Sequence, residues 1–374
     1  MLFQLSPNTP QFKVFSLLNK ELIYFIEKSV VDGTFCRELF TGGAVGQACW
    51  ENSKNNNVKA KTDLTHDKFK KLYEALQDQP KTIRKKLLRT IKKNQNLQAF
   101  FDNPNAALLA FLPQACFEPL KTITTHLYCA TKDLQGVLNV VGGVDIKAHF
   151  ESFRAREVNG NICKSCGMEE LAVFRSALPK GAQWRADYDH QLCKSKYPIF
   201  SVHPDNLIPL CSVCNQDAKK GKDLFITSLN QTRHAFYPIK ESAHSFVDIE
   251  VDLLRDPEPE ITVEWATNDP ALLEKLKTWD DVYEIKRRVE GRFRSLEVII
   301  RNEINPTSYI HFQQQVSDRS RPVHADVLGD KEWAFWYQKL FYKLNLLDKA
   351  PFWEKSRFND PQADEGSDYI LEIT

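Results

Sequence analysis

The chain has 374 residues, 42% of them hydrophobic, with 50 Lys and Arg against 49 Asp and Glu. That balance excludes a disordered chain and a polyelectrolyte binder, so any affinity for nucleic acid must come from local patches. The longest apolar run, Ala106 to Leu112, ends at Pro113 and is too short to span a bilayer. The opening MLFQLSPNTPQFKVF lacks a basic stretch followed by an apolar core, so no signal peptide is expected. There are nine cysteines, four in two close pairs. This suits a reducing cytoplasm and a metal site better than a secreted disulfide scaffold.

Residues 11–150 read as mainly helical. Phe12, Phe15, Leu18, Leu22, Phe25 and Ile26 recur at helical spacing, as do Phe69, Leu72, Tyr73 and Leu76. The polar NSKNNNVKAK (52–61) reads as an exposed loop. TGGAVGQ (41–47) lacks the G-K-[ST] of a phosphate loop and reads as a turn. KTIRKKLLRTIKK (81–93) places Ile83, Leu87, Leu88 and Ile91 on an apolar stripe under a basic, acid-free surface. Lys81, Arg84, Lys85 and Arg89 of that surface are candidate contacts to a phosphate backbone; a solvated face or an acidic partner is the alternative. Cys36, Cys49, Cys116 and Cys129 read as buried apolar fillers.

Residues 151–225 hold most of the Cys-His-Asn chemistry. Cys163-Lys-Ser-Cys166 and Cys211-Ser-Val-Cys214 are two C-x-x-C knuckles 44 residues apart. Two such turns supply a closed tetrahedral shell, so the expected ion is a structural Zn2+ with no open position. Between the knuckles, Trp184 to Leu192 reads as a strand, Asn206 to Leu210 as a second, and the segment from Cys211 as the start of a helix with Asn215 in its first turn. This order brings His190 and Asn215 to one groove. His190 can accept a proton from water, because imidazole titrates near neutrality. Asp189 and the Asn215 side-chain oxygen can hold a hard divalent cation such as Mg2+ or Mn2+. Asn206 can hydrogen-bond across the loop and fix the backbone around His190. In a regular strand Asp189 and His190 point to opposite faces, so both serve one site only where the strand ends or bulges. Asp187 shares the face of Asp189 and is either a further metal contact or solvent-exposed. His203 lies in the same loop.

The set Asp189-His190, Asn206-Leu207 and Cys211-x-x-Cys214-Asn215, with the upstream knuckle, resembles the HNH nucleases, the zinc-clamped branch of the ββα-metal endonucleases. The resemblance covers about 60 of the 374 residues. It implies His190 as general base, Asp189 and Asn215 as metal ligands, and Asn206 as a structural residue. The longer string DHQLCKSKYPIFSVHPDNLIPLCSVCN is similar to HNH subunits of antiphage systems such as Septu, which implies DNA as substrate and an SMC-like ATPase as partner protein. Two positions depart from the pattern. Cys193 stands where Pro is common, and Ala218 where a lysine often follows the last Asn. Lys219, Lys220 and Lys222 supply only a general phosphate-facing charge. A stand-alone restriction-type endonuclease and a non-catalytic zinc-dependent nucleic-acid-binding module are the alternatives.

Beyond residue 225, Val247, Ile249, Val251 and Leu253, then Ile261, Val263 and Trp265, alternate as two strands of a hairpin around the turn DPEPE. Its acidic residues would repel a phosphate backbone, which places it away from the substrate. A long helix is expected with Val282, Ile285, Val289, Phe293, Leu296 and Ile300 on one face. Residues 331–347, with Trp333, Phe335 and Trp336, read as a helix suited to a core or a partner. The last dozen residues read as loosely held. The expected fold class is therefore α+β: a helical region over 1–150 for substrate or partner binding, the zinc-clamped ββα nuclease module over 151–225, and a mixed region over 226–374 for support and docking.

Overall fold

The computed structural model describes residues 1–173, 177, 186–256, 258–356 and 358. It is α+β, with helices at both ends of the chain and two small antiparallel sheets. The first helices are α1 (Lys13–Lys28), α2 (Ala44–Glu51), α3 (Thr65–Gln77) and α4 (Lys81–Lys93). They are followed by α5 (Leu97–Asp102), α6 (Gln114–Cys129), α7 (Gln135–Val140) and α8 (Ile146–Phe153). The predicted stripe of α1 is its buried face, with Phe15, Leu18, Leu22, Phe25 and Ile26 all sealed from solvent. Each such side chain contributes about 1.5–3 kcal/mol on burial. Phe69, Leu72, Tyr73 and Leu76 of α3 are buried likewise. The Gly-rich segment is a turn only to Gly43; from Ala44 it is already helical. Cys49 and Cys116 are buried, whereas Cys36 is half-buried and Cys129 exposed.

Two short strands, β1 (Tyr188–His190) and β2 (Leu207–Pro209), pair antiparallel with Asp189 opposite Ile208 and His190 opposite Leu207. They are shorter than the predicted strands, and Trp184 lies outside the described residues. A seven-residue π-helical segment, Val213–Lys219, follows the second knuckle.

The predicted hairpin is β3 (Val247–Asp252) with β4 (Glu260–Trp265), and Ile249 stands opposite Val263. Pro257 in its turn lies outside the described residues. The single long helix expected next is three: α9 (Pro270–Tyr283), α10 (Ile285–Phe293) and α11 (Leu296–Ile304). Glu284, at φ 54°, takes the left-handed conformation and breaks the first junction. The expected face is still the buried one, since Val282, Ile285, Val289, Phe293, Leu296 and Ile300 are all in the core. The chain continues through α12 (Tyr309–Arg319), α13 (Ala325–Asp330), α14 (Ala334–Leu346) and α15 (Ala350–Lys355). Trp336 is fully buried, so the Trp-bearing side of α14 is core rather than a docking face. The final residues, 359–374, lie outside the description. No helix among the described residues is long and apolar enough to cross a membrane.

The first knuckle is held by residues from the start of the chain and from α9 and α14. The indole N–H groups of Trp279 and Trp336 donate to the carbonyls of Ser165 (2.9 Å) and Cys166 (2.8 Å). The N–H of Leu2 donates to the same Ser165 carbonyl at 3.1 Å. Gly167 sits at φ 68°, and a Cβ there would come within 2.6 Å of the Leu2 side chain. Only glycine meets both the backbone and the space requirement.

Candidate functional site

The four knuckle cysteines form one buried cluster whose sulfurs all lie within 4.8 Å of one another. Each is a free thiol. A tetrahedral zinc with sulfurs at about 2.3 Å requires S···S edges of about 3.8 Å. Cys166 and Cys211 are 3.9 Å apart. The donors therefore fit a metal ion, and neighbouring donors fit the charge that four thiolates would carry. The N–H of Met168 points to the Cys166 sulfur (3.4 Å), that of Cys211 to Cys163 (3.5 Å) and that of Cys214 to Cys211 (3.4 Å). Arg288 of α10 adds a full positive charge, 3.3 Å from the Cys214 sulfur and 3.8 Å from that of Cys166. Residue type and spacing announce the cysteines, but nothing in the sequence points to Arg288, which arrives from 74 residues beyond Cys214.

β2 ends two residues before Cys211, so the β1–β2 ribbon runs directly into this cluster. His190 is buried, and its Nε2 lies 3.0 Å from the carbonyl oxygen of Ser201. A carbonyl only accepts, so Nε2 carries the proton and Nδ1 holds the free lone pair of the neutral ring. Burial, reinforced by the ammonium groups of Lys194 and Lys219 and opposed by the Ser201 bond, pushes the imidazole down to about 3. The ring is thus neutral at physiological pH, and a much weaker base than the near-neutral imidazole expected from the sequence, because burial disfavours its charged form. Tyr128 of α6 packs edge-on against it at 4.5 Å between centroids, and Lys194 lies 5.2 Å from the Tyr128 ring.

Asn206 is fully buried and spans the loop between the strands. Its Oδ1 accepts from the Leu192 N–H at 2.7 Å, and its Nδ2 donates to the carbonyls of Leu192 (3.1 Å) and Phe200 (2.9 Å). Phe200 precedes Ser201, so this amide holds the peptide next to the one whose carbonyl accepts from His190. Asn206→Asp accepts but cannot donate, and Asn206→Ala does neither. Both are expected to destabilise the chain by about 3 kcal/mol, because buried carbonyls lose their partners. Urea melts of the two variants check this; a near-wild-type midpoint for Asn206→Asp would contradict the bonding described.

Asp189 directly precedes His190, the last residue of β1, so the strand ends where the two meet. Its carboxylate forms a buried ion pair with Lys219 and accepts from Gln191 Nε2 at 2.8 Å. Lys219 also donates to the His190 carbonyl at 2.7 Å. The reason that Lys219 arrives there, and not residue 218, is the π-helical turn. Its wide i→i+5 closure, from Lys220 N–H to the Asn215 carbonyl at 3.1 Å, absorbs one extra residue. Asn215 stands half-buried one residue beyond Cys214. Asp187 is exposed.

Several predicted phosphate contacts are placed elsewhere. Lys219 is buried on Asp189, and Lys222 donates to the Asp281 carbonyl (2.7 Å) and pairs with Glu284 (3.3 Å). Arg84 is buried, paired with Asp32 and hydrogen-bonded to the Gln77 side chain at 2.9 Å. Only Lys220 of the three site lysines, and Lys81, Lys85 and Arg89 of α4, are exposed. His203 is a loop brace: its Nε2 donates to the Gln95 carbonyl (3.0 Å) and its Nδ1 accepts from Asp205 N–H (3.3 Å).

No family model, no curated protein and no solved structure matches this chain.

Proposed function

We propose that the chain is a metal-dependent HNH-type endonuclease that hydrolyses phosphodiester bonds, with DNA as its substrate. The observation that carries this reading is His190. It is a neutral imidazole at the end of β1, its Nε2–H committed to the Ser201 carbonyl and its Nδ1 left with the lone pair of a base. In this reading Nδ1 takes a proton from water, the oxygen attacks phosphorus, and the bond to the leaving sugar oxygen breaks. Zn2+ in the thiol cluster is structural, because four sulfurs leave no place for water. A divalent cation, Mg2+ or Mn2+, would neutralise charge on the phosphate, and Asp189 and Asn215 are the oxygen donors for it. The Asp189 carboxylate is paired with Lys219, so that ion pair must open before Asp189 can ligate.

The same Lys219–Asp189 pair favours a second reading, a zinc-held nucleic-acid-binding module without catalysis. Incubation of supercoiled plasmid with the full chain and Mg2+ or Mn2+ separates the two: nicked and linear products are expected. No cleavage of DNA or RNA with either metal would leave the binding module. The sequence resemblance extends the proposal to an antiphage effector working with an SMC-like ATPase in the cytoplasm. A stable complex on co-purification is the expected result, and a chain that cleaves alone, without such a partner, would point to a stand-alone restriction-type enzyme.

A further inference from the structure

A second feature of the molecule has the chemistry to hold a polyanion. Helix α4 and the segment from α5 to Phe111 enclose an open groove of about 980 Å3. Lys86, Arg89 and Lys93 line one wall, and Asn103, Asn105 and Phe111 are on the other; no described acidic residue lines it. The three cations are exposed, so their charge is available to a ligand. Lys86 Nζ lies 4.4 Å from the centroid of the Phe111 ring, which sets a cation against an aromatic face inside the groove.

We infer that this groove binds a single strand of nucleic acid. Cations along one wall follow a phosphate backbone, and an aromatic ring with amide side chains opposite suits unpaired bases. The groove is also joined to the loop between β1 and β2. Ala99 lines it, and the next residue, Phe100, packs on Phe200 and Tyr197 at 5.5 and 5.6 Å between centroids. Ser201, beside Phe200, supplies the carbonyl that holds His190. His203 ties the same loop to Gln95, at the end of α4. Phe100 and Gln95 therefore tie the wall of the groove to the loop that holds the proposed base. The inference deepens the nuclease reading by naming a single strand as what is held, and its test reads binding rather than cleavage.

The experiment uses the full chain as His190→Ala, which removes the proposed base and leaves the groove intact. Fluorescence anisotropy with a labelled oligothymidylate of about twenty nucleotides measures affinity and its salt dependence. Arg89→Glu and Lys93→Glu are each expected to weaken binding about tenfold and to lower the salt slope by about one. Phe111→Ala is expected to weaken binding of the oligonucleotide without changing binding of inorganic polyphosphate. Lys70→Glu, on α3 and away from the groove, should change nothing. Affinity unchanged in both charge-reversal variants would overturn the inference. So would equal binding of a poly-glutamate peptide, which would make the groove a site for acidic protein segments. A chain with His190 in place that binds through Arg89 and Lys93 but cleaves no nucleic acid with Mg2+ or Mn2+ would instead count against the nuclease reading alone.

Discussion

The full chain is expected to hold one zinc ion, and Cys214→Ser or a strong chelator is expected to unfold the centre of the molecule. Structural zinc sites contribute apparent free energies of about 10–16 kcal/mol. A native domain has only about 5–15 kcal/mol of net stability, so removal of the ion should exceed what the surrounding packing supplies. The loss would not stay local. Trp279, Trp336 and the backbone of Leu2 are all hydrogen-bonded to Ser165 or Cys166 of the first knuckle. Tryptophan emission should therefore shift to the red as the metal leaves, in parallel with a colorimetric count of released zinc. Cys129→Ser is the matched control, since Cys129 is exposed on the end of α6. Arg288→Ala should lie between them, because it removes the cation from the Cys214 and Cys166 sulfurs and leaves the four donors in place. A metal-free chain with unchanged emission and melting would show that the thiols serve packing alone.

The second large effect is on chemistry. His190→Ala is expected to reduce metal-dependent plasmid cleavage by about 10²–10⁴-fold, the contribution of a positioned general base. The ring is buried between Tyr128 and Ser201, so truncation also leaves a cavity and an unpartnered carbonyl. Retention of zinc by the variant reports whether the module still folds, and a zinc-loaded His190→Ala that cleaves like wild type would remove His190 from the reaction. Tyr128 is placed as a positioning residue. Tyr128→Phe keeps the ring edge against the imidazole and should keep most activity. Tyr128→Ala should lower kcat with little change in KM, since it frees the imidazole without touching substrate binding.

Much of this architecture was legible in residue spacing. Apolar positions at i, i+3, i+4 and i+7 find α1, α3 and α4, and strict alternation finds the β3–β4 hairpin, because both patterns follow from backbone geometry alone. The paired knuckles announce a four-sulfur cluster for the same reason: thiols two apart in a turn can face one ion. Arg84 was legible too, though its charge misleads. It stands three residues before Leu87 and seven before Ile91, on the stripe that becomes the buried face, and there it pairs with Asp32.

Other features depend on contacts that no local pattern encodes. The left-handed Glu284 divides a continuous apolar face into separate helices, and Glu284 is not a residue that marks such a break. The π-helical turn that delivers Lys219 to Asp189 depends on where the second knuckle starts the segment and how the hairpin receives it.

By itself, then, the sequence determined the helical and strand periods, the thiol cluster and the Asp-His, Asn-Leu and Cys-Asn pairs, because each is a matter of neighbouring residues. Only the tertiary structure decided which lysine neutralises Asp189, which ring nitrogen of His190 is free, that Arg288 and Tyr128 stand at the site, and that α4 walls a groove. Those outcomes depend on groups far apart in the chain, and their distances and burial exist only once the core has closed around them.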